Sequence, residues 1–417
     1  MQKADQWDNY RSCLRTWPSL ITALVAADPV RRTDGDICQG LVRRNFRPQE
    51  NYKMLQRFKD ETYLIVALLV AVLAYVFEES LLHGGRTVAM ISTAVLVLVI
   101  VLASIRVAHH AEVLAEKVGD PYGTMILTLS AVLVEVVILG IMMSHEPSPT
   151  LVRDTIYAAV MLDLNGILGL AALMGGLRHG EQPYNDDSAR TYSVMILTAM
   201  GVSMVVPEFI PQEDWRLYSA FTIGAMLLLY GVFLRMQVGA HSYFFSYSYP
   251  EKKRRRNEHP ATTQVSGSAV PSIAMLCVGV VIIGALAEVM SQTMKVSLAG
   301  TGAPPILAAL LVAAIAAAPE ILTALRAALA NRMQAVVNIA LGASLSTVIL
   351  TVPIMEAMAL YSGQPFQMAM TPVQTTMVLI TIIVAAINLN DGETNAIEGM
   401  THFVLFATFI MLSLIGL

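Results

Sequence analysis

Two glutamates set in long apolar runs are the residues best placed to do chemistry. Glu135 lies inside GDPYGTMILTLSAVLVEVVILGI and Glu320 inside LVAAIAAAPEILTALRAALANRMQ. A carboxyl in the middle of a membrane helix is costly, so it normally faces a cavity and acts there on an ion or a proton. Thr124 and Thr128 fall on the helical face of Glu135, and Thr323 stands likewise beside Glu320. Pro319 lacks an N–H, so the carbonyl of Ile315 loses its helical partner and becomes a candidate ligand for a hard cation. The next helix in each half adds polar groups: Asp163 and Asn165 in RDTIYAAVMLDLNGILGLAAL, and Ser344, Ser346 and Thr347 in MQAVVNIALGASLSTVILTVP. Asp163 and Asn165 do not share a face, so only one of them is expected to reach the cavity of Glu135. Glu288 can be either a proton relay or an interfacial residue, whereas Glu356 reads as interfacial. Taken singly, a buried glutamate can be a protonated packing group, and a small polar residue can be interhelical glue. The repeat-related placement of Glu135 and Glu320 favours function. These two are the expected metal ligands, within a cation- and proton-binding set of Glu135, Glu320, Asp163, Asn165, Thr128, Ser344, Ser346, Thr347 and Glu288.

The elements that must hold them are membrane helices. The chain is 55% hydrophobic and only 14% charged, with a mean hydropathy of +0.60. A soluble domain carries about a quarter charged residues. The class is an all-α integral membrane protein with about eleven transmembrane helices. They are expected at 62–79, 87–105, 121–143, 152–176, 191–210, 217–235, 269–290, 304–327, 335–359, 371–388 and 399–416. Residues 1–60 read as a polar cytoplasmic tail without a packed core. Residues 61–235 hold one extra amino-terminal helix and a first repeat. Residues 236–268 form a basic loop carrying Lys252, Lys253, Arg254, Arg255 and Arg256, and 269–417 hold a second repeat. The two glutamate helices stand an odd number of spans apart, so the two five-helix repeats are inverted. That is the plan of secondary transporters, which bind their cargo at the midplane between repeats. Of the 27 Lys and Arg residues, all but Arg86, Arg153, Arg216 and Lys295 fall on one side of this arrangement. That asymmetry places the amino terminus in the cytoplasm. His109 and His110, in RVAHHAEVLAEKVG, read as part of a solvated interfacial helix. The three cysteines form no close-spaced motif. There is no HExxH, no GxSxG and no phosphate-cradling GKS or GKT loop, which argues against ATP-driven transport.

The wording around the glutamates resembles a known family. AEVLAEKVGDPYGTMILTLSAVLVEVVIL is similar to the first repeat of calcium/proton antiporters of the calcium:cation antiporter superfamily, with Gly119, Gly123 and Glu135 in register. PEILTALRAALANRMQAVVNIALGASLSTVILTVP resembles their second repeat, including Asn331, Met333, Gly342 and Pro353. HAEVLAEKVGDPYG is most similar to the bacterial branch that also moves sodium or potassium. The resemblance implies a proton-coupled antiporter of the bacterial inner membrane. Its cargo would be Ca²⁺, with Na⁺ or K⁺ as further candidates. The partners are inorganic cations, protons and membrane lipid; no cofactor and no nucleic acid is implied, and no enzyme activity. One departure bears on selectivity. Where the family has Gly-Asn before each glutamate, this chain has Ala131-Val132 and Ala316-Ala317. Two oxygen ligands are thereby lost, which favours competition by monovalent cations. The alternatives are a sodium-coupled exchanger on the same fold and an intramembrane enzyme using the paired glutamates.

Overall fold

A computed structural model describes residues 61–118, 122–145, 148–238, 269–363 and 366–417. The expected tail, Gly119 and the basic run at 252–256 lie outside the described residues. The helices are α1 (Thr62–Val76), α2 (Glu78–His83), α3 (Arg86–Val118), α4 (Tyr122–His145), α5 (Leu151–Met161), α6 (Leu168–His179), α7 (Asp186–Met200) and α8 (Trp215–Val238). The second half continues with α9 (Val270–Leu298), α10 (Ile306–Leu329), α11 (Met333–Ser346), α12 (Val352–Ser362), α13 (Pro372–Asn388) and α14 (Ala396–Ile415). A π-helical turn, Leu162–Ile167, joins α5 to α6, and another, Thr347–Thr351, joins α11 to α12. Among the described residues eight helices are long and apolar enough to cross a membrane, and three more apolar helices are shorter. Each expected span coincides with one of these. In lipid the backbone must satisfy its own hydrogen bonds, and continuous helices do so.

Several boundaries differ from the sequence expectation. The second span does not stop near residue 105 but runs on to Val118 as one 33-residue helix. The amphipathic stretch prolongs it and buries Val107, Ala111 and Leu114. His110 is also buried rather than solvated, because its Nε2 meets Glu61 at 3.1 Å. Arg106 grips the same carboxylate through Nε at 3.1 Å and Nη2 at 2.6 Å. Burial alone would push the Glu61 carboxyl up, but these hydrogen bonds and charges outweigh it and hold it below its ordinary range. Arg153, expected at the outer end of its span, is buried at the start of α5 and paired with Asp154 at 2.8 Å. Glu356 is buried rather than interfacial, at 3% exposure.

Packing between the halves is reciprocal. Helix α10 of the second half lies along α5, its π turn and α6 of the first. Helix α4 of the first half lies along α11, the second π turn and α12. Each glutamate helix is therefore seated on the interrupted helix of the opposite half. The chain links support this at one end of the bundle. Strand β1 (Gln182–Pro183) pairs antiparallel with β2 (Glu393–Thr394). Gln182 Nε2 donates to Ala328 O at 3.0 Å and to Asn331 Oδ1 at 2.9 Å. Asn331 turns the chain between α10 and α11 at φ +58°, a left-handed conformation that asparagine tolerates better than most residues.

Helices α6 and α14 approach closely along a seam of glycines. A Cβ on Gly169 would lie 2.8 Å from both His402 Cβ and the Phe403 amide nitrogen. A Cβ on Gly399 would run into the backbone of Leu173. Gly399→Ala is thus expected to overpack the seam and cost about 1–3 kcal/mol. Thermal unfolding of the purified variant in detergent checks this, and an unchanged midpoint would show that the seam can spread freely.

Candidate functional site

The polar centre of the bundle is one small cavity of about 20 Å³, with room for a single water-sized particle. Helix α4 contributes Ala131, Val132 and Glu135 to its wall, and α5 with its π turn contributes Ala159 and Asp163. Helix α10 contributes Ala313, Ala316, Ala317 and Glu320, and α11 with its π turn contributes Ala343, Ser346 and Thr347. Three carboxyls from the two halves therefore meet at one place. A larger groove of about 380 Å³, lined by Leu197, Val205 and Val378 among others, is apolar and carries no such groups.

Each carboxyl is held differently. Glu135 is 3% exposed, and its Oε2 accepts hydrogen bonds from Thr347 Oγ1 at 3.1 Å and Thr351 Oγ1 at 3.2 Å. Its Oε1 is buried and has no hydrogen-bond partner among the described residues. Asp163 is 2% exposed and accepts from Ser344 Oγ at 3.1 Å. Glu320 is only partly buried, one residue beyond Pro319. Uncompensated charge in such a place costs several kcal/mol per ion. The cavity therefore needs protons or a cation to balance its carboxyls. Among the described residues no group of three acidic, histidine or cysteine side chains is gathered closely enough to hold a metal ion. The walls must draw in if all three carboxyls are to share one cation.

The structure sorts the remaining candidates. Ser346 lines the cavity, but its hydroxyl donates to Gly342 O and Ala343 O. Thr347 both lines the cavity and binds Glu135. Ser344 acts through Asp163. Asn165 is turned away and binds Thr381 and His402, so of the Asp163–Asn165 pair it is Asp163 that reaches the cavity. Thr128 is not among the lining residues. Thr323 donates to Pro319 O at 2.9 Å, a bond within its own helix rather than toward the cavity. Glu288 is not in the cavity either; its Oε2 accepts the Tyr75 hydroxyl from α1. Thr351 was missed by sequence reasoning, although its spacing of one helical turn from Thr347 puts both on the face toward Glu135. The two π turns begin in the two halves at the same separation as the two glutamates.

The model of the sodium/calcium exchanger protein family matches residues 87–239 and 271–415, which is both halves of the bundle. The chain belongs to the sodium/calcium exchanger family. Two relatives match over nearly their whole length. The putative ionic transporter y4hA of Sinorhizobium fredii is 30% identical over 357 residues, 84% of this chain and 95% of the relative. The sodium-potassium/proton antiporter ChaA of Escherichia coli is 29% identical over 354 residues, with the same 84% and 95% coverage. Among solved structures, the Ca²⁺/H⁺ antiporter YfkE superposes with a TM-score of 0.62 at 18% identity, covering 81% of this chain and 99% of YfkE. At that identity the likeness speaks for the exchanger fold. The chain is accordingly a multi-pass membrane protein of this family.

Proposed function

We propose that the protein is a proton-coupled cation antiporter of the bacterial inner membrane, with its amino terminus in the cytoplasm, that exports Ca²⁺ and also Na⁺ or K⁺ in exchange for H⁺. The observation that carries this reading is the meeting of Glu135, Asp163 and Glu320, from inverted halves, around one cavity. The names of its relatives, a sodium-potassium/proton antiporter and a Ca²⁺/H⁺ antiporter, support the same reading. With its carboxyls ionised, the cavity holds a cation between Glu135 and Glu320, assisted by Asp163 and the hydroxyls of Ser346 and Thr347. With the carboxyls protonated, it releases the cation. The two loads exclude one another, so protons and cation cross in opposite directions as the halves rock around the fixed site. The cation is cargo rather than a resident cofactor.

The deciding measurement is ion-dependent proton movement in everted membrane vesicles, with Ca²⁺, Na⁺ and K⁺ added separately. Each transported cation should dissipate a preformed proton gradient. Calcium uptake that needs sodium and ignores the proton gradient would replace this reading with a sodium-coupled exchanger. An intramembrane enzyme is disfavoured by size, since an organic substrate needs about 300 Å³ or more and this cavity offers about 20 Å³. Because protons compete for the same oxygens, the KM for cation is expected to fall as pH rises. Asp163→Asn keeps the acceptor for Ser344 but removes one charge. It is expected to raise the KM for Ca²⁺ about tenfold or more, the counterpart of losing a charge contact of ~1.5–3 kcal/mol, and initial rates in proteoliposomes would check it.

A further inference from the structure

Behind the cavity, beside the π turn at Leu162–Ile167, lies a buried polar chain that does not line it. His402 on α14 is 2% exposed, and its Nδ1 stands 3.0 Å from Asn165 Oδ1. Asn165 Nδ2 donates to Thr381 Oγ1 on α13 at 2.8 Å. The Thr381 hydroxyl in turn donates to Met161 Sδ at 3.7 Å. The directions follow from valence. The amide nitrogen of Asn165 is the donor to Thr381, so its oxygen accepts, and the His402 proton sits on Nδ1. Among the described residues Nε2 of His402 is buried without a hydrogen-bond partner, so the ring is held there through Nδ1.

We infer that His402 is a positioning residue for cation binding, which through Asn165 and Thr381 fixes the π turn that aims Asp163 into the cavity. The hydrogen-bonded chain ends where it began. Met161 is the residue just before the π turn and Asn165 lies within it, so the chain holds the side chains on both sides of Asp163. A π turn is a locally strained, wider coil that needs outside support, and such turns gather at functional sites. Support of this kind sets a ligand's direction as hydrogen bonds behind a metal ligand do elsewhere. The glycine seam makes the grip stiff. His402 Cβ abuts Gly169 in the turn's continuation, so α14 has no slack against α6. The inference rests on the reading of Asp163 as part of the cation site.

The experiment uses purified full-length protein in proteoliposomes and measures KM and maximal rate for Ca²⁺. His402→Leu should raise KM about tenfold while the maximal rate stays within about twofold, the signature of lost binding geometry rather than lost protein. His402→Asn places an amide N–H near the position of Nδ1 and should restore KM to within about twofold of the parent. His402→Gln places its amide near Nε2 instead and should not. Joined to Asp163→Asn, His402→Leu should add nothing further, because it acts through Asp163. A parental KM in His402→Leu overturns the inference, as does rescue by Gln as good as rescue by Asn. So does a variant set in which maximal rate falls with KM unchanged. Should His402→Leu fail to fold, the contrast between the Asn and Gln variants decides alone. If Asp163→Asn itself leaves KM unchanged, the reading of the cavity has failed, and that result is distinct from failure at His402 alone.

Discussion

Glu135→Gln and Glu320→Gln should each abolish proton-coupled exchange while leaving an inserted, folded protein. The substitution keeps the size of the side chain and removes only its charge. Glu135 loses an anion that two threonine hydroxyls and a buried, unpartnered oxygen are arranged to present. Glu320→Gln removes the carboxylate that faces Glu135 from the other half across the cavity. Removing one partner of a buried charge contact costs ~3–5 kcal/mol, so rates should fall by about 100-fold or more. Initial rates of proton-driven Ca²⁺ movement in proteoliposomes measure the loss, and elution of each variant as a single symmetric species controls for folding. Near-parental exchange in either variant would remove that glutamate from the mechanism. Partial loss confined to one cation would instead leave it as a selectivity determinant.

Cation preference is the second large effect. Ala131, Val132, Ala316 and Ala317, which replace the Gly-Asn pairs expected from the family resemblance, all lie in the cavity wall. Methyl groups therefore stand where amide oxygens would complete a divalent shell of about six to eight ligands. The two positions do not respond alike. Val132→Asn nearly conserves volume at a buried site and brings an oxygen to the cavity. Ala317→Asn adds an amide to a space of about 20 Å³ and must push its walls apart. Val132→Asn is thus the cleaner test. One added oxygen ligand should shift the ratio of Ca²⁺ to Na⁺ affinity toward Ca²⁺ about tenfold, on the order of 1.4 kcal/mol. In the parent, Na⁺ or K⁺ in excess should slow Ca²⁺ uptake most clearly at raised pH, where protons compete least. If excess Na⁺ and K⁺ leave Ca²⁺ uptake unchanged at every pH, and Val132→Asn behaves like the parent, the apolar wall does not set selectivity.

The sequence by itself determined the helices, the twofold plan and the two glutamates. Each is written in a strong local signal. A membrane leaves the backbone little choice but helix, so apolar runs translate directly into rods. A carboxyl inside such a run is costly enough that Glu135 and Glu320 stand out without any neighbour in view. Asp163 and Asn165 could not be told apart, because their directions depend on a π turn. That turn packs against α10, α11, α13 and α14, contacts that the residues of the turn do not announce. Glu356 and Arg153 sit near helix ends, where sequence reads as interface, yet neighbouring helices bury both. Glu288 carries the same residue type as the cavity glutamates but meets Tyr75 of α1, a partner more than two hundred residues away in the chain. His402 has no spacing signal at all. It is one of several polar residues on α14, with Glu398, Thr401, Thr408 and Ser413, and only the close approach of α14 to α6 brings it behind Asp163. The tertiary structure decided these points because direction and partnership in a helical bundle are set by which helices touch. In this chain those contacts cross between halves that are inverted relative to one another.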